Sequence, residues 1–281
     1  MKNNTLIYLL LSVVLLGNYS CKSKKETMNV ATYNLRYNTP KDGENAWPNR
    51  KNKIIQMVTK YKFDVFGVQE VRTDQATDLA AMFPDYTYFG IGRNDGVAGE
   101  QAGLMYRKDR FTELDRGHFW LSPTPNIPSI GWDASVNRVA VWVKLKDKNT
   151  NKEFFFLSTH LDHLGKIARY ESAKLLIERV KKLAGDKPLF CVADYNAKPE
   201  ENSIQEMKKA FLDPYDISQT KPTGPAGTLN LFDTKTPISM RIDYMFVNDK
   251  VTVKSYATLD DIIDGNYPSD HCPIMMEVVL K

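Results

Sequence analysis

Two packed β-sheets flanked by helices are the architecture that this sequence predicts. Short apolar runs recur along the whole chain, only two stretches keep a helical period, and short polar motifs close the strand-like runs. Many short strands with few helices bury their apolar faces best as sheet on sheet, with helices over the outer faces. With 42% hydrophobic and 26% charged content over 281 residues, the chain has an ordinary globular balance and suits one large domain.

The first strand-like run is 28–33, closed by Asn34. Ile54, Ile55, Val58 and Tyr61 then share one face of a helix. Run 65–68 leads to Gln69-Glu70, and 104–106 and 139–145 continue the strand pattern. Run 154–158 leads to His160-Leu161-Asp162-His163. A second helix follows, with Leu175, Leu176, Ile177, Val180 and Leu183 on a broad apolar face and Glu178, Arg179, Lys181 and Lys182 largely opposite. Run 189–192 precedes Asp194-Tyr195-Asn196, and 244–247 and 274–279 accompany Arg241-Ile242-Asp243-Tyr244 and Ser269-Asp270-His271. Stretches 90–103, 121–137 and 218–230 are rich in Gly, Pro, Asn and Asp and read as long loops. Loops longer than about 12 residues are uncommon unless functional or disordered, so substrate selection is expected there.

The ends and the charge set further bounds. Net charge is only +4 and no basic stripe stands out, so nucleic acid is a possible substrate that the composition does not single out. Lys2 and the apolar run 6–16, broken only by Ser12, form a leader too short to span a bilayer comfortably, since about 20 residues are needed. Gly17-Asn18-Tyr19-Ser20-Cys21 and the polar stretch 22–27 follow. This resembles a bacterial lipoprotein signal with Cys21 as the lipidated residue, although Asn18 and Tyr19 depart from the usual box. A plain secretory signal or an uncleaved anchor is the alternative. The expected organisation is a signal segment over 1–21, a linker over 22–27 and one catalytic domain over 28–281, exported and lipid-anchored to the cell envelope, at the outer membrane. Cys191 and Cys272 sit in apolar runs and read as small hydrophobes rather than a disulfide framework.

Six polar motifs, each read as closing a buried strand, carry the chemistry. Singly each has a bland reading: Asn34 as a turn residue, Glu70 as a cap before a helix, a histidine as a hydrogen-bonded structural group. An amide at a strand end can also ligate a hard cation or orient a carboxylate that does, and Glu70 suits Mg²⁺. The spacing of His160 and His163 also suits zinc, but no further His or Cys cluster supports a closed site. Alternation turns Asp194 and Asn196 the same way, and a histidine such as His271 needs a carboxylate to fix its tautomer. Carboxylates, amides, imidazoles and an arginine from several strand ends together are what metal-assisted attack on a phosphoester needs.

Through Ala31-Thr32-Tyr33-Asn34, Val68-Gln69-Glu70, Ser158-Thr159-His160, Ala193-Asp194-Tyr195-Asn196, Arg241-Ile242-Asp243-Tyr244 and Ser269-Asp270-His271, the chain resembles the endonuclease/exonuclease/phosphatase superfamily. That superfamily includes pancreatic deoxyribonuclease, deadenylases, sphingomyelinases and inositol polyphosphate 5-phosphatases. The resemblance implies a four-layered α/β sandwich, with two mainly antiparallel sheets between helices, and a divalent metal, Mg²⁺ or Mn²⁺. It implies Glu70 as the central metal ligand with Asn34 and Asp270 nearby. Asp243 would orient His271 as general base or as a partner of the phosphoryl group, and Asp194 is the competing candidate for aligning the water. Asn196 and His160 would hold phosphoryl oxygens, and Arg138 would add a cationic phosphate contact. Family members usually carry glycine at the place of Ala193 and phenylalanine at that of Tyr195, a departure that keeps the acid and the amide.

The leading expectation is a phosphodiesterase or phosphatase acting outside the cytoplasm on a small or lipid-linked phosphoester, with no obligate protein partner. An exported nuclease is the alternative. A third reading is a binding lipoprotein that recognises glycans through Trp47, Trp132 and Tyr267. Trp47 and Trp132 serve equally as stacking platforms or as pins for long loops, whereas Trp120 and Trp142 read as core.

Overall fold

A computed structural model describes residues 26–281; the leader, Cys21 and residues 22–25 of the linker lie outside the described residues. In chain order the elements are β1 (Met28–Asn34), a 3₁₀ turn (Pro40–Asn45), α1 (Trp47–Tyr61), β2 (Val65–Val71), α2 (Thr73–Met82), β3 (Tyr86–Gly92), β4 (Gln101–Arg107) and β5 (Phe111–Trp120). They continue with β6 (Val139–Asp147), β7 (Glu153–His160), α3 (Lys166–Ala184), β8 (Leu189–Asp194), α4 (Asn202–Ala210), α5 (Pro214–Ile217), β9 (Asp243–Val247), β10 (Val251–Thr258) and β11 (Ile274–Leu280). One sheet has the order β10-β11-β1-β2-β4-β3 and the other β5-β6-β7-β8-β9. Within them β1–β2 and β7–β8 run parallel, and the remaining neighbours run antiparallel. This is the four-layered sandwich expected from the sequence.

Three apolar clusters hold the layers together. Val30, Val65, Leu104, Val141, Phe156, Val192 and Met276 meet between the sheets. Leu176 and Val180 of α3 and Ile204 and Met207 of α4 cover the outer face of the second sheet. Ile54, Met57 and Val58 of α1 and Leu79 of α2 cover the first. Trp47 is a pin: its indole Nε1 donates to Asp78 Oδ2 at 2.7 Å and ties α1 to α2. Only Trp132, of the two tryptophans left open, keeps an exposed face, and Tyr267 is buried. The glycan-binding reading therefore loses two of its three rings.

Two expectations are corrected. The stretch 90–103 is not one long loop: both ends belong to strands, and the β3–β4 hairpin turns over residues 93–100. The Gly-rich composition reflects crowding, since a Cβ on Gly103 would sit 2.9 Å from the Tyr88 ring. Nor do all six motifs close strands. Asp243 opens β9, and Ser269-Asp270-His271 precedes β11. Because β9 is antiparallel to β8 and β11 antiparallel to β1, the starts of those strands lie at the same edge as the ends of β1 and β8. All six motifs still converge.

Candidate active site

The two parallel pairs, one in each sheet, bring their C-terminal ends together at that edge. Gly67 of β2 permits the approach: a Cβ there would lie 2.6 Å from both Ser158 Oγ and Val192 Cγ2 of the opposite sheet. Above it Gln69 is fully buried, its amide donating to Thr32 Oγ1 at 3.0 Å and Ser158 Oγ at 3.1 Å. Gln69 therefore stitches the sheets together and leaves the cleft to Glu70. The register of β2 against β4 shifts between Val68 and Val71, and Glu70 adopts φ 62°. A left-handed residue with a Cβ is strained, and here the kink turns the carboxylate outward.

Asn34 joins Glu70 to the second sheet. Its amide NH₂ donates to Glu70 Oε1 at 3.1 Å and to Asp194 Oδ2 at 2.9 Å, while its Oδ1 accepts from Arg36 N at 2.9 Å. In this arrangement Asn34 orients two carboxylates, and one lone pair of its oxygen is taken by Arg36 N. His271 Nδ1 lies 2.9 Å from Asp243 Oδ2, and its Nε2 lies 3.8 Å from Asp194 Oδ2. Burial opposes a charge on this ring, yet Asp243 and then Asp194 outweigh it and hold the imidazole pKa well above its ordinary value. Asp243 keeps its second oxygen buried without a partner.

His160 behaves oppositely. Burial, then Arg138 and His271, push its pKa well below the ordinary value, so its ring is neutral. Asn196, at φ 49°, gives one amide hydrogen to His160 Nε2 (2.8 Å) and the other to Leu161 O (3.1 Å). The same Nε2 lies 3.4 Å from Asp194 Oδ2. His160 and His163 do not converge: His163 Nδ1 faces Arg138 Nη2 at 3.1 Å. Asp162 between them is structural, accepting from Gly165 N (2.7 Å), Leu164 N (3.0 Å) and Ser135 Oγ (2.9 Å). Arg138 is buried and lines the cleft beside His160, with its Nε lacking a hydrogen-bond partner. The arginine of the fifth motif is elsewhere: Arg241 makes a paired contact to Asp213 at 2.8 and 3.0 Å, away from the cleft lining.

Several residues that shape the site have no mark of chemistry in the sequence. Arg50 of α1 is buried and donates to Leu35 O (2.5 Å), Arg36 O (2.6 Å), Pro268 O (3.1 Å) and Asn45 O (2.8 Å). One guanidinium thus registers the Asn34 strand end against the loop that carries Asp270 and His271. Thr228 Oγ1 accepts from Ile242 N and Asp243 N, both at 3.2 Å, and Asn230 donates to Ser269 O at 3.0 Å. The end of the loop at 218–230 is therefore a brace for the floor. Its only sequence signal is composition. At Tyr195, the hydroxyl that departs from the family pattern lies 3.5 Å from Cys191 Sγ, and the ring packs edge-on against Tyr244 and Phe246.

The cleft has a volume of about 360 Å³, within the range of small-ligand sites. Glu70, Asp194 and Asp270 all line it, and ligand atoms of Glu70, His160 and Asp194 lie within 4.8 Å of one another. Burial, reinforced by Asp243, pushes Asp194 up to about 7. Burial and the neighbouring Glu70 raise Asp270 despite His271. Of the rim arginines, Arg36 is shared between Asp42 at 2.9 Å and Asp270 at 3.7 Å, and Arg93 is paired with Glu100. Three carboxylates converging on one cleft fit a hard divalent ion.

Comparison with known proteins agrees with this geometry. The endonuclease/exonuclease/phosphatase family model matches residues 31–271. An endonuclease/exonuclease/phosphatase family protein from Bacteroides thetaiotaomicron superposes with a TM-score of 0.87 at 37% identity, covering 91% of this chain and 98% of that one. A mannosyl-6-phosphatase from Bacteroides thetaiotaomicron VPI-5482 gives 0.85 at 37% identity, covering 90% and 100%. Nocturnin of Drosophila melanogaster is 30% identical over 170 residues, 56% of this chain, and the chain spans only 25% of that protein's length. With the six motifs gathered at one sheet edge and the family model spanning them all, the chain belongs to the endonuclease/exonuclease/phosphatase family of phosphoester hydrolases.

Proposed function

We propose that this protein is a divalent-metal-dependent phosphatase that acts outside the cytoplasm on a small phosphomonoester. The observation that carries the reading is the bonded series Asp243–His271, Asp194–Asn34–Glu70, which spans both sheets and ends in the cleft. Glu70 and Asp270 would hold Mg²⁺ or Mn²⁺, with Asn34 orienting Glu70. Such an ion supplies Lewis-acid charge to a phosphoryl oxygen and to the leaving alkoxide.

The protein's own groups do the rest. Arg138 draws the phosphoryl group in and holds one oxygen. Asp194 aligns the attacking water and takes its proton. His271, held by Asp243, points Nε2 at the phosphoryl group and donates to an oxygen as negative charge builds. Asn196 reaches a second oxygen by exchanging its bond to His160.

A small substrate is favoured over a polymer by the rim. Tyr37, the aromatic residue of the cleft lining, already carries Arg36 at 4.5 Å and Arg72 at 4.9 Å on its ring, so it offers little stacking surface. Paired rim arginines also leave few free cations for a phosphate backbone. The relative named as a mannosyl-6-phosphatase supports the same direction. The leader supports export and attachment through a lipid on Cys21; fatty-acid labelling lost in Cys21→Ser tests that part.

The decisive experiment is hydrolysis by the soluble protein from Thr27 onward, with Mg²⁺, Mn²⁺ or EDTA, alongside His271→Ala. Metal-dependent release of phosphate from p-nitrophenyl phosphate or mannose 6-phosphate, lost in the variant, is expected. Nicking of supercoiled plasmid with both monoesters left intact makes the protein a nuclease instead.

A further inference from the structure

The floor accounts for the phosphoryl group and leaves one wall of the cleft unused. That wall is the turn of the β3–β4 hairpin, where Arg93 and Glu100 line the cleft together with Arg138 and His160. Arg93 Nη1 meets Glu100 Oε2 at 2.7 Å, with side-chain exposures of 18% and 15%. Both are shielded enough to matter and open enough to be reached.

The backbone of the turn that carries the pair is tied down on several sides. Trp120 Nε1 donates to Arg93 O at 2.9 Å, and Asn137 donates to Asn94 O at 3.3 Å. Across the turn Arg93 N reaches Glu100 O, and Asn94 N reaches Ala98 O, both at 3.1 Å. Asp95 Oδ1 accepts from Val97 N and Ala98 N at 2.8 and 2.6 Å. The strand β5 and the loop before β6 thus support a turn that would otherwise be free.

We propose that Arg93 and Glu100 form the subsite for the leaving alcohol, and that it takes a neutral, hydroxyl-rich group such as the ring of a sugar phosphate. This deepens the phosphatase reading above and rests on it. Carboxylate and guanidinium side by side accept from and donate to neighbouring hydroxyls, which suit both partners without adding charge to a shielded site. Arg93 is already neutralised by Glu100, so the wall has no net attraction for a second phosphate. Glu100 repels a continuing polyanion, and the wall presents no aromatic face for a base.

The test compares kcat/KM for mannose 6-phosphate with that for p-nitrophenyl phosphate, whose alcohol is flat and lacks hydroxyls. Wild type, Glu100→Ala and the isosteric Glu100→Gln are measured with Mg²⁺. The ratio of the two values is expected to fall about tenfold or more in both variants, chiefly through KM, in line with loss of a hydrogen bond to a charged group. A wild-type series needs no substitution: cyclohexylmethyl phosphate, the ring without its hydroxyls, should be turned over about tenfold or more less efficiently than mannose 6-phosphate. An unchanged ratio in Glu100→Gln together with equal turnover of the two ring phosphates overturns the subsite while the phosphatase reading stands. Absence of turnover of every monoester by the wild type overturns both.

Discussion

The floor of the cleft and its rim use the same side-chain types and hold them differently. On the floor Asn34, Asp194, Asp243 and His271 are buried, and each is fixed by a residue from another strand or loop. On the rim Arg36 pairs with Asp42 six residues away, and Arg93 with Glu100 across one turn, with partial exposure. Floor groups are positioned by the packing of two sheets, rim groups by local turns. A change in the floor should therefore disturb every substrate alike, and a change in the rim should disturb only the choice among them.

The largest test of that division is Glu70→Ala. It removes the carboxylate at the centre of the floor, and kcat/KM should fall by about 10³-fold or more for any phosphoester, on the scale of losing one strong transition-state contact. Equal activity in the variant would sink the metal assignment. Arg50→Met comes next. Arg50 touches no cleft residue's side chain but holds Leu35, Arg36 and Pro268 in register. Kcat should drop up to about 100-fold, the scale of a 1 Å misplacement, and by the same factor for p-nitrophenyl phosphate and mannose 6-phosphate. A substrate-selective loss would show that α1 serves the rim instead.

Gly67→Ala probes the base on which the floor stands. The added methyl meets Ser158 and Val192 at 2.6 Å, and overpacking of this kind costs about 1–3 kcal/mol. Urea unfolding should report it as a lower midpoint. The smallest effect belongs to Asp162, beneath the rim. Burial alone would raise its pKa, but the Gly165, Leu164 and Ser135 donors outweigh it and bring it down to about 2. A depressed carboxylate stabilises fully above its ordinary value and loses that contribution as pH falls through the folded value. The stability gap between wild type and Asp162→Asn should be largest above about pH 4 and should close as the pH approaches 2. A gap independent of pH would mean that shape, not charge, holds the start of α3.

The motifs were legible because a catalytic strand end interrupts an apolar run with a polar residue, as Asn34 and Asp194 do. The run 189–192 marks all but the last two residues of β8 (Leu189–Asp194), and the buried face of α3 contains the expected Leu176 and Val180. Little in the sequence marks β3, β5 and β10, because their mixed composition lacks a continuous apolar run: β5 is largely exposed, β3 partly buried, and β10 alternates between buried and partly buried positions. Arg241 shows that membership of a motif does not imply a place in the cleft: its side chain faces Asp213 and the rings of Tyr215 and Tyr244.

By itself the sequence determined the layer architecture and which residue types could do chemistry, because periodicity and local composition are properties of neighbours in the chain. Which atoms meet was decided only by the tertiary structure. Asn34 and Asp194 are 160 residues apart, Arg50 and Pro268 are 218 apart, and such contacts exist only once two sheets have closed on Gly67. At Asn34 the sequence offers only an amide at a strand end; that its NH₂ bridges Glu70 and Asp194 from two different sheets is a product of the closed fold.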